Sequence, residues 1–477
     1  MGDRLSALDA SFLHLEDESA HMHVASVMLF DGDPPSYDDF CWAIERRLHL
    51  VPRYRQRLAA VPFGQGRPVW VDDPHFNLRY HARQSALPPP GSENQLRNLA
   101  SRVLAQQLDR DKPLWELWLV EGVEGGRFAI VAKTHHALVD GVSGVDIATV
   151  LFDVAREPDE PPTPPPDWLP APVPSRSQLL AEALIERSTA PAEIARSVRA
   201  VFRAPRQVAT AVRGSVATAG SMFGAPPSPY NLRIGPHRRF TWVRVSLDDV
   251  KAIKNSLGGT VNDVVLSTVA GGLGRHLRGR GESTEGLTLR AMVPVSVRAQ
   301  NEHGALGNRV SAMMAPLPVG CEDPVERLRI VREAMAGLKE SGQAVGAERI
   351  MEAADFAPPT ILGQAARLTH RQRAFNLVVT NVPGPQFPLY LLGRELNDLF
   401  PMVPLTNNTA LGVALMSYNG AINFGLIGDY DALADIQDVA EGFEAALEES
   451  AAAAGVKQAP AARAKPPERE RSAVETP

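Results

Sequence analysis

Between Arg156 and Ser175 the chain reads REPDEPPTPPPDWLPAPVPS. Proline fixes φ and brings no amide proton, so neither a helix nor a central strand passes through such a run, which is expected to be an extended, semi-rigid linker. The 477 residues exceed what one hydrophobic core ordinarily organises, and the proline run marks the break. Four segments follow: a lobe over residues 1–155, a proline-rich and then alanine- and arginine-rich helical crossover over 156–235, a second lobe over 236–450, and a polar, proline-bearing tail over 451–477 expected to be disordered.

Both lobes mix helix and strand patterns. In the first, DDFCWAIERRLHLVP reads as an amphipathic helix, GRFAIVAKTH as a strand and GVDIATVLFDVA as a helix. In the second, SLDDVKAIKNSLG and VNDVVLSTVAGGLGRHL read as helices, with Ser246 as N-cap of the first. LTLRAMVPVSVR, FNLVVTNVPGP, TALGVALMSYNG and AINFGLIGD read as strands, the last two joined at Asn419-Gly420, a strong hairpin signal. The expected fold is α/β, with two lobes of similar size.

The chemistry concentrates in KTHHALVDG, residues 133–141, which spends two of twelve histidines side by side. FAIVA before it is a continuous apolar run suited to a strand buried on both faces. Adjacent residues at a strand end point to opposite sides, so of His135 and His136 one is expected to be chemical and the other structural. Asp140 and Gly141 close the turn before the next helix, Gly141 supplying backbone freedom and Asp140 organising the loop. A neutral imidazole can take a proton from an alcohol or thiol near pH 7. No GxSxG elbow occurs, so direct general-base catalysis without an acyl-enzyme is the simpler expectation. The spacing does not match HExxH, which argues against a metal.

Composition narrows the classes further. A net charge of −6 gives no basic field for nucleic acid. Two distant cysteines, Cys41 and Cys321, make neither a disulfide framework nor a zinc site, and a reducing cytoplasm is the default. The N-terminus lacks the pattern of a signal peptide, and no run of about 18 apolar residues suggests a membrane span.

HHALVDG resembles the HHxxxDG motif of the CoA-dependent acyltransferase superfamily, which includes chloramphenicol acetyltransferases and peptide-synthetase condensation domains. LSALDASFLHLE, DKPLWELWLVEG, VNDVVLS, MVPVSVR, LGNRVS, VVTNVPGP and YNGAINFGLIGD, in that order, resemble its bacterial wax ester synthase/diacylglycerol acyltransferase branch, from about Leu5 to Leu447. The resemblance implies two chloramphenicol-acetyltransferase-like lobes with a channel between them. It implies transfer of a fatty acyl group from acyl-CoA to diacylglycerol or a long-chain alcohol, with no cofactor. It makes His136 the general base and His135 its structural partner, with Arg298 as ion-pair candidate for Asp140. It associates Pro113, Leu114 and Trp115, Asn262 and Asp263, and Asn381 with the channel. From the residues alone, Trp115 is read as core packing, Asp263 as a helix-start residue as readily as a chemical one, and Pro383-Gly384-Pro385 after Asn381 as a rigid turn. A condensation-type enzyme taking its acyl group from a carrier protein, and a non-catalytic lipid-surface acyl-binding protein, are the other readings.

A water-insoluble acceptor calls for lipid contact. In AEIARSVRAVFRAPRQVATAVRG, Arg196, Arg199, Arg203 and Arg206 share one helical face, with Ile194, Val198, Val201 and Phe202 largely on another. Such a helix can lie on anionic lipid or pack against a lobe. The location expected is cytoplasmic, peripheral to the inner face of the membrane or to lipid bodies.

Overall fold

A computed structural model describes residues 3–138, 152–157, 167–186, 224–296, 310–340 and 374–457. Asp140, Gly141, Arg298 and the basic segment 192–214 lie outside the described residues. In the first part the elements are β1 (Asp3–Arg4), α1 (Ala7–Leu15), β2 (His23–Asp31), α2 (Tyr37–Glu45), β3 (Gln56–Ala59), β4 (Val69–Asp72), β5 (Ala82–Ala86), α3 (Glu93–Ala105), β6 (Trp115–Val123) and β7 (Arg127–His135). The second part contains β8 (Arg238–Ser246), α4 (Leu247–Leu257), α5 (Val261–Gly279), β9 (Leu289–Ser296), β10 (Val310–Leu317) and α6 (Pro324–Glu340). It continues with β11 (Leu377–Pro383), β12 (Tyr390–Leu391), β13 (Arg394–Met402), β14 (Leu411–Tyr418), β15 (Ala421–Asp429) and α7 (Ile436–Ala453).

Local signals set many boundaries. Ser246 caps α4, accepting the Asp249 N–H at 3.2 Å. Asn419 and Gly420 both take positive φ, 44° and 84°, and Tyr418 then faces Ala421 in an antiparallel hairpin. Two expectations shift. The helix read to Ala155 does not reach Phe152–Ala155; Asp153 instead forms a bridge with Tyr390. At the other end α7 continues to Ala453, into the segment read as tail, because Ala451 is buried against the core.

Among the described residues two six-stranded sheets carry the fold, in the orders β12-β13-β2-β7-β6-β5 and β10-β9-β11-β14-β15-β8, beside a small sheet β1-β4-β3. Strand β13 comes from the second part of the chain yet pairs antiparallel with β2, Phe400 opposite Val27. The first sheet is buried on both faces, and side chains alternate between two cores. Met28, Phe30, Phe128 and Ile130 face one, with α2; Val27, Leu29, Ala129 and Val131 face the other, with α3 and Phe240, Trp242 and Phe400. Each fully buried large apolar side chain contributes about 1.5–3 kcal/mol. A third core lies between the other sheet and α4 to α7.

The sheets meet where β13 crosses β15. Any Cβ on Gly425 would be driven into the Pro401 carbonyl oxygen, a backbone atom that no rotamer change can move. Trp242 and Phe400 stack beside this point, ring centroids 4.8 Å apart. Gly425→Ala is therefore expected to destabilise the chain by about 3 kcal/mol or more, read by urea denaturation; a loss below about 1 kcal/mol would mean that the crossing relaxes freely.

Candidate active site

The ladder between β2 and β7 places His23 opposite His135, and continues past the strand end as the His136 N–H donates to Met22 O at 2.7 Å. On the other side the His135 N–H donates to Leu114 O at 3.0 Å. His135 is thus gripped from both flanks, and the chain turns after it, the Leu138 N–H donating to His135 O at 2.9 Å. The two imidazoles diverge. His135 is 1% exposed, whereas His136 is half-buried.

The α1 helix faces both rings. Ser6 caps its start, accepting the Asp9 N–H at 3.0 Å, and Ala7, Ala10 and Leu13 form its buried stripe. Phe12 stacks on His136 with ring centroids 4.0 Å apart and planes 26° from parallel. Glu16, one turn later, is buried between two histidines. Its Oε2 lies 3.5 Å from His135 Nε2 and its Oε1 lies 3.4 Å from His23 Nε2. Arg110 pairs with the same carboxylate, Nε at 3.0 Å, and also donates to Leu13 O at 3.0 Å. The tautomer of His135 follows. Its Nδ1 accepts the Ala137 N–H at 3.0 Å, so in the neutral ring the proton sits on Nε2 and faces Glu16.

Burial dominates the electrostatics. It pushes His136 down to about 4, with the neighbouring His135 adding to the effect and a backbone carbonyl opposing it. His23 is pushed down to about 4, again chiefly by burial, with Glu16 opposing. For Glu16, burial alone would raise the carboxyl, but hydrogen bonds from His135, His23 and Arg110 win and hold it well below the usual carboxylate range. A neutral His136 therefore persists across the physiological range, as a base requires. Its Nδ1 is buried, and among the described residues no other residue hydrogen-bonds to it.

The remaining sequence candidates fall into two groups. Leu114 and Trp115 are buried in the first core at 0% and 1% exposure. Pro113 is buried beside them. The Trp115 indole stacks on His81 at 4.7 Å and donates Nε1–H to Tyr54 O at 2.8 Å. Leu114 touches the site through its carbonyl. Asn262 and Asn381 come together across 119 residues, Asn381 Nδ2 donating to Asn262 Oδ1 at 3.5 Å. Asp263 turns away from that pair into the capping box of α5, accepting from Thr260 N and Oγ1, each at 2.8 Å.

Phe12, Glu16, His23, Arg110 and Lys133 were not singled out by sequence reasoning. Lys133 is fully buried and donates to Val103 O and Gln106 O at 3.0 Å each, satisfying carbonyls at the end of α3, with Glu116 at 3.2 Å. The available signal was LHLE, which puts an acid at the C-cap of a helix with a buried stripe of Ala7, Ala10 and Leu13.

A half-buried neutral histidine after a doubly buried strand, in a two-sheet α/β fold, is the arrangement expected of the HHxxxDG acyltransferases that the sequence resembles. Comparison with known proteins agrees. Residues 5–265 match the wax ester synthase/diacylglycerol acyltransferase catalytic domain, and residues 306–450 match the C-terminal domain of the same family. The probable diacylglycerol O-acyltransferase tgs1 of Mycobacterium tuberculosis is 33% identical over 93% of this chain and 95% of its own length. The structure of a wax ester synthase/diacylglycerol acyltransferase from Marinobacter aquaeolei VT8 is 30% identical, with a TM-score of 0.67 over 95% of this chain and 100% of that one. A condensation domain of the calcium-dependent antibiotic synthetase shares the fold at 17% identity and a TM-score of 0.58, covering 97% of this chain and 98% of that one. The chain belongs to the wax ester synthase/diacylglycerol acyltransferase family, and the protein is an acyltransferase.

The lowered histidines set a pH dependence of stability. Between about pH 6.5 and 4 the unfolded chain binds protons that folded His23 and His136 refuse, so stability falls as acid is added. The fully buried His23 alone is expected to cost up to about 1.4 kcal/mol per pH unit. Glu16, with its lowered carboxyl, adds a further loss below the ordinary carboxylate range. Urea denaturation at pH 7 and 5 checks this: the drop should be smaller in His23→Gln by about one proton's worth, and an equal drop in both would contradict it.

Proposed function

We propose that the protein transfers a long-chain acyl group from acyl-CoA to the free hydroxyl of diacylglycerol, with a long-chain alcohol as second acceptor. The observation that carries this reading is His136: an imidazole pushed down to about 4 by burial, with Nδ1 sealed, in a family of acyltransferases. With Nδ1 sealed, Nε2 is the nitrogen that takes the acceptor's hydroxyl proton. The oxygen attacks the thioester carbonyl, the tetrahedral intermediate collapses with loss of the CoA thiolate, and the His136 proton passes to that sulfur. General-base catalysis supplies roughly 10²–10⁴-fold, and holding donor and acceptor together supplies much of the rest. Neither a metal nor a prosthetic group enters this sequence. Asp140, with Gly141, is assigned to loop geometry and Arg298 to its ion pair; the Asn262–Asn381 pair is assigned to the channel wall.

Acceptor choice is tested by product analysis with one acyl-CoA and equal diacylglycerol and hexadecanol in competition. Triacylglycerol is expected to dominate, with wax ester as the minor product. Ester from neither acceptor, with acyl-CoA bound, would overturn the assignment and favour a carrier-bound donor.

The acceptor resides in lipid. Among the described residues no helix is long and apolar enough to cross a membrane. Peripheral contact through the basic amphipathic segment 192–214 is the reading its sequence supports. Flotation with anionic vesicles should drop severalfold when Arg196, Arg199, Arg203 and Arg206 become glutamate, and unchanged flotation would dispose of it.

A further inference from the structure

We infer that the C-terminal turn of α1 is the positioning element of the catalytic base, with Phe12 as the residue that fixes the His136 ring. The inference rests on the proposed role of His136. An imidazole on a loop after a strand turns about its Cβ–Cγ bond, and a general base must hold its reacting nitrogen to within a fraction of an ångström of the hydroxyl proton. Here, among the described residues, no group of another residue hydrogen-bonds to Nδ1 to set the ring's plane, and only its own backbone carbonyl acts on the ring. What faces it is the Phe12 ring, nearly parallel at 4.0 Å. Rotation of the imidazole out of that plane would carry one edge into the phenyl carbons, so the stack sets the plane in which the Nε2 lone pair points.

A stack orients only if its own base is fixed, and α1 is fixed at both ends. Ser6 holds its N-terminus. At the other end Arg110 grips the Leu13 carbonyl and the Glu16 carboxylate together. Glu16 in turn sits against His135 Nε2 and His23 Nε2. His135 is the residue adjoining His136, so the same helical turn holds the backbone of the base through Glu16 and its ring through Phe12. Phe12 and Glu16 are i and i+4, the spacing that brings two side chains to one face of a helix. The helix therefore reaches two consecutive residues whose side chains diverge. Phe12 is only partly buried, so trimming its ring removes less packing than loss of a core aromatic would.

The test is steady-state kinetics on the full chain with an acyl-CoA and dispersed diacylglycerol, for Phe12→Leu, Phe12→Tyr, Glu16→Gln and His136→Ala, with melting temperatures alongside. Phe12→Leu keeps apolar bulk and loses the ring plane. It is expected to lower kcat roughly 10- to 100-fold, with KM for both substrates within about twofold. Phe12→Tyr, which keeps the ring, is expected to restore most of kcat. Glu16→Gln is expected to lower kcat in the same direction through His135. Wild-type kcat in a folded Phe12→Leu overturns the proposal, as does a loss that Phe12→Tyr fails to rescue. If His136→Ala keeps its turnover, the base assignment itself has failed. If His136→Ala is inactive while Phe12→Leu is not, the base stands and the positioning role falls.

Discussion

Everything in the first lobe hangs on the antiparallel ladder of β2 with its two neighbours, β7 and β13. One edge of β2 holds β7, and through it the two histidines; the other edge holds a strand contributed by the second part of the chain. Because both faces of this sheet are buried, its register cannot slip by one residue without exchanging the contents of two cores. The position of His136 is thus set by pairings of long sequence separation, and the β13 crossing at Gly425 and Pro401 ties that frame to the second sheet.

On this frame sits an unusual density of buried titratable groups. Glu16, His23, His135 and Lys133 all have nearly inaccessible side chains: the Glu16 carboxylate faces the two imidazoles, and Lys133 donates to helix-end carbonyls beside Glu116. Burying a carboxylate costs free energy unless it is paired, and Arg110 with the two imidazoles provides the pairing. The outcome for chemistry is indirect but concrete: the structural histidine is locked in one tautomer, and the half-buried one beside it stays neutral.

Much of the local structure was legible in the sequence because it depends on local physics. The doubly buried strand FAIVA, the hairpin at Asn419-Gly420 and the cap at Ser246 each follow from side-chain alternation, positive φ or a hydroxyl before a helix. The divergence of His135 and His136 follows from the same alternation. What stayed hidden was long-range. Nothing in RELNDLFPM announces that it pairs with residues some 370 positions earlier. Nor does periodicity place Glu16, the last residue of LSALDASFLHLE, against His135. Asp263 is instructive in another way: resemblance grouped it with Asn262, while its side chain serves the α5 cap and Asn262 alone meets Asn381.

The central claim is that His136 acts as the general base, and it is tested most directly by comparing single-turnover acyl transfer in wild-type protein and His136→Ala at saturating acyl-CoA, with acyl-CoA affinity measured separately. A fall of roughly 10²–10⁴-fold in the transfer rate, with affinity unchanged, is the predicted result. Transfer at the wild-type rate would contradict the account.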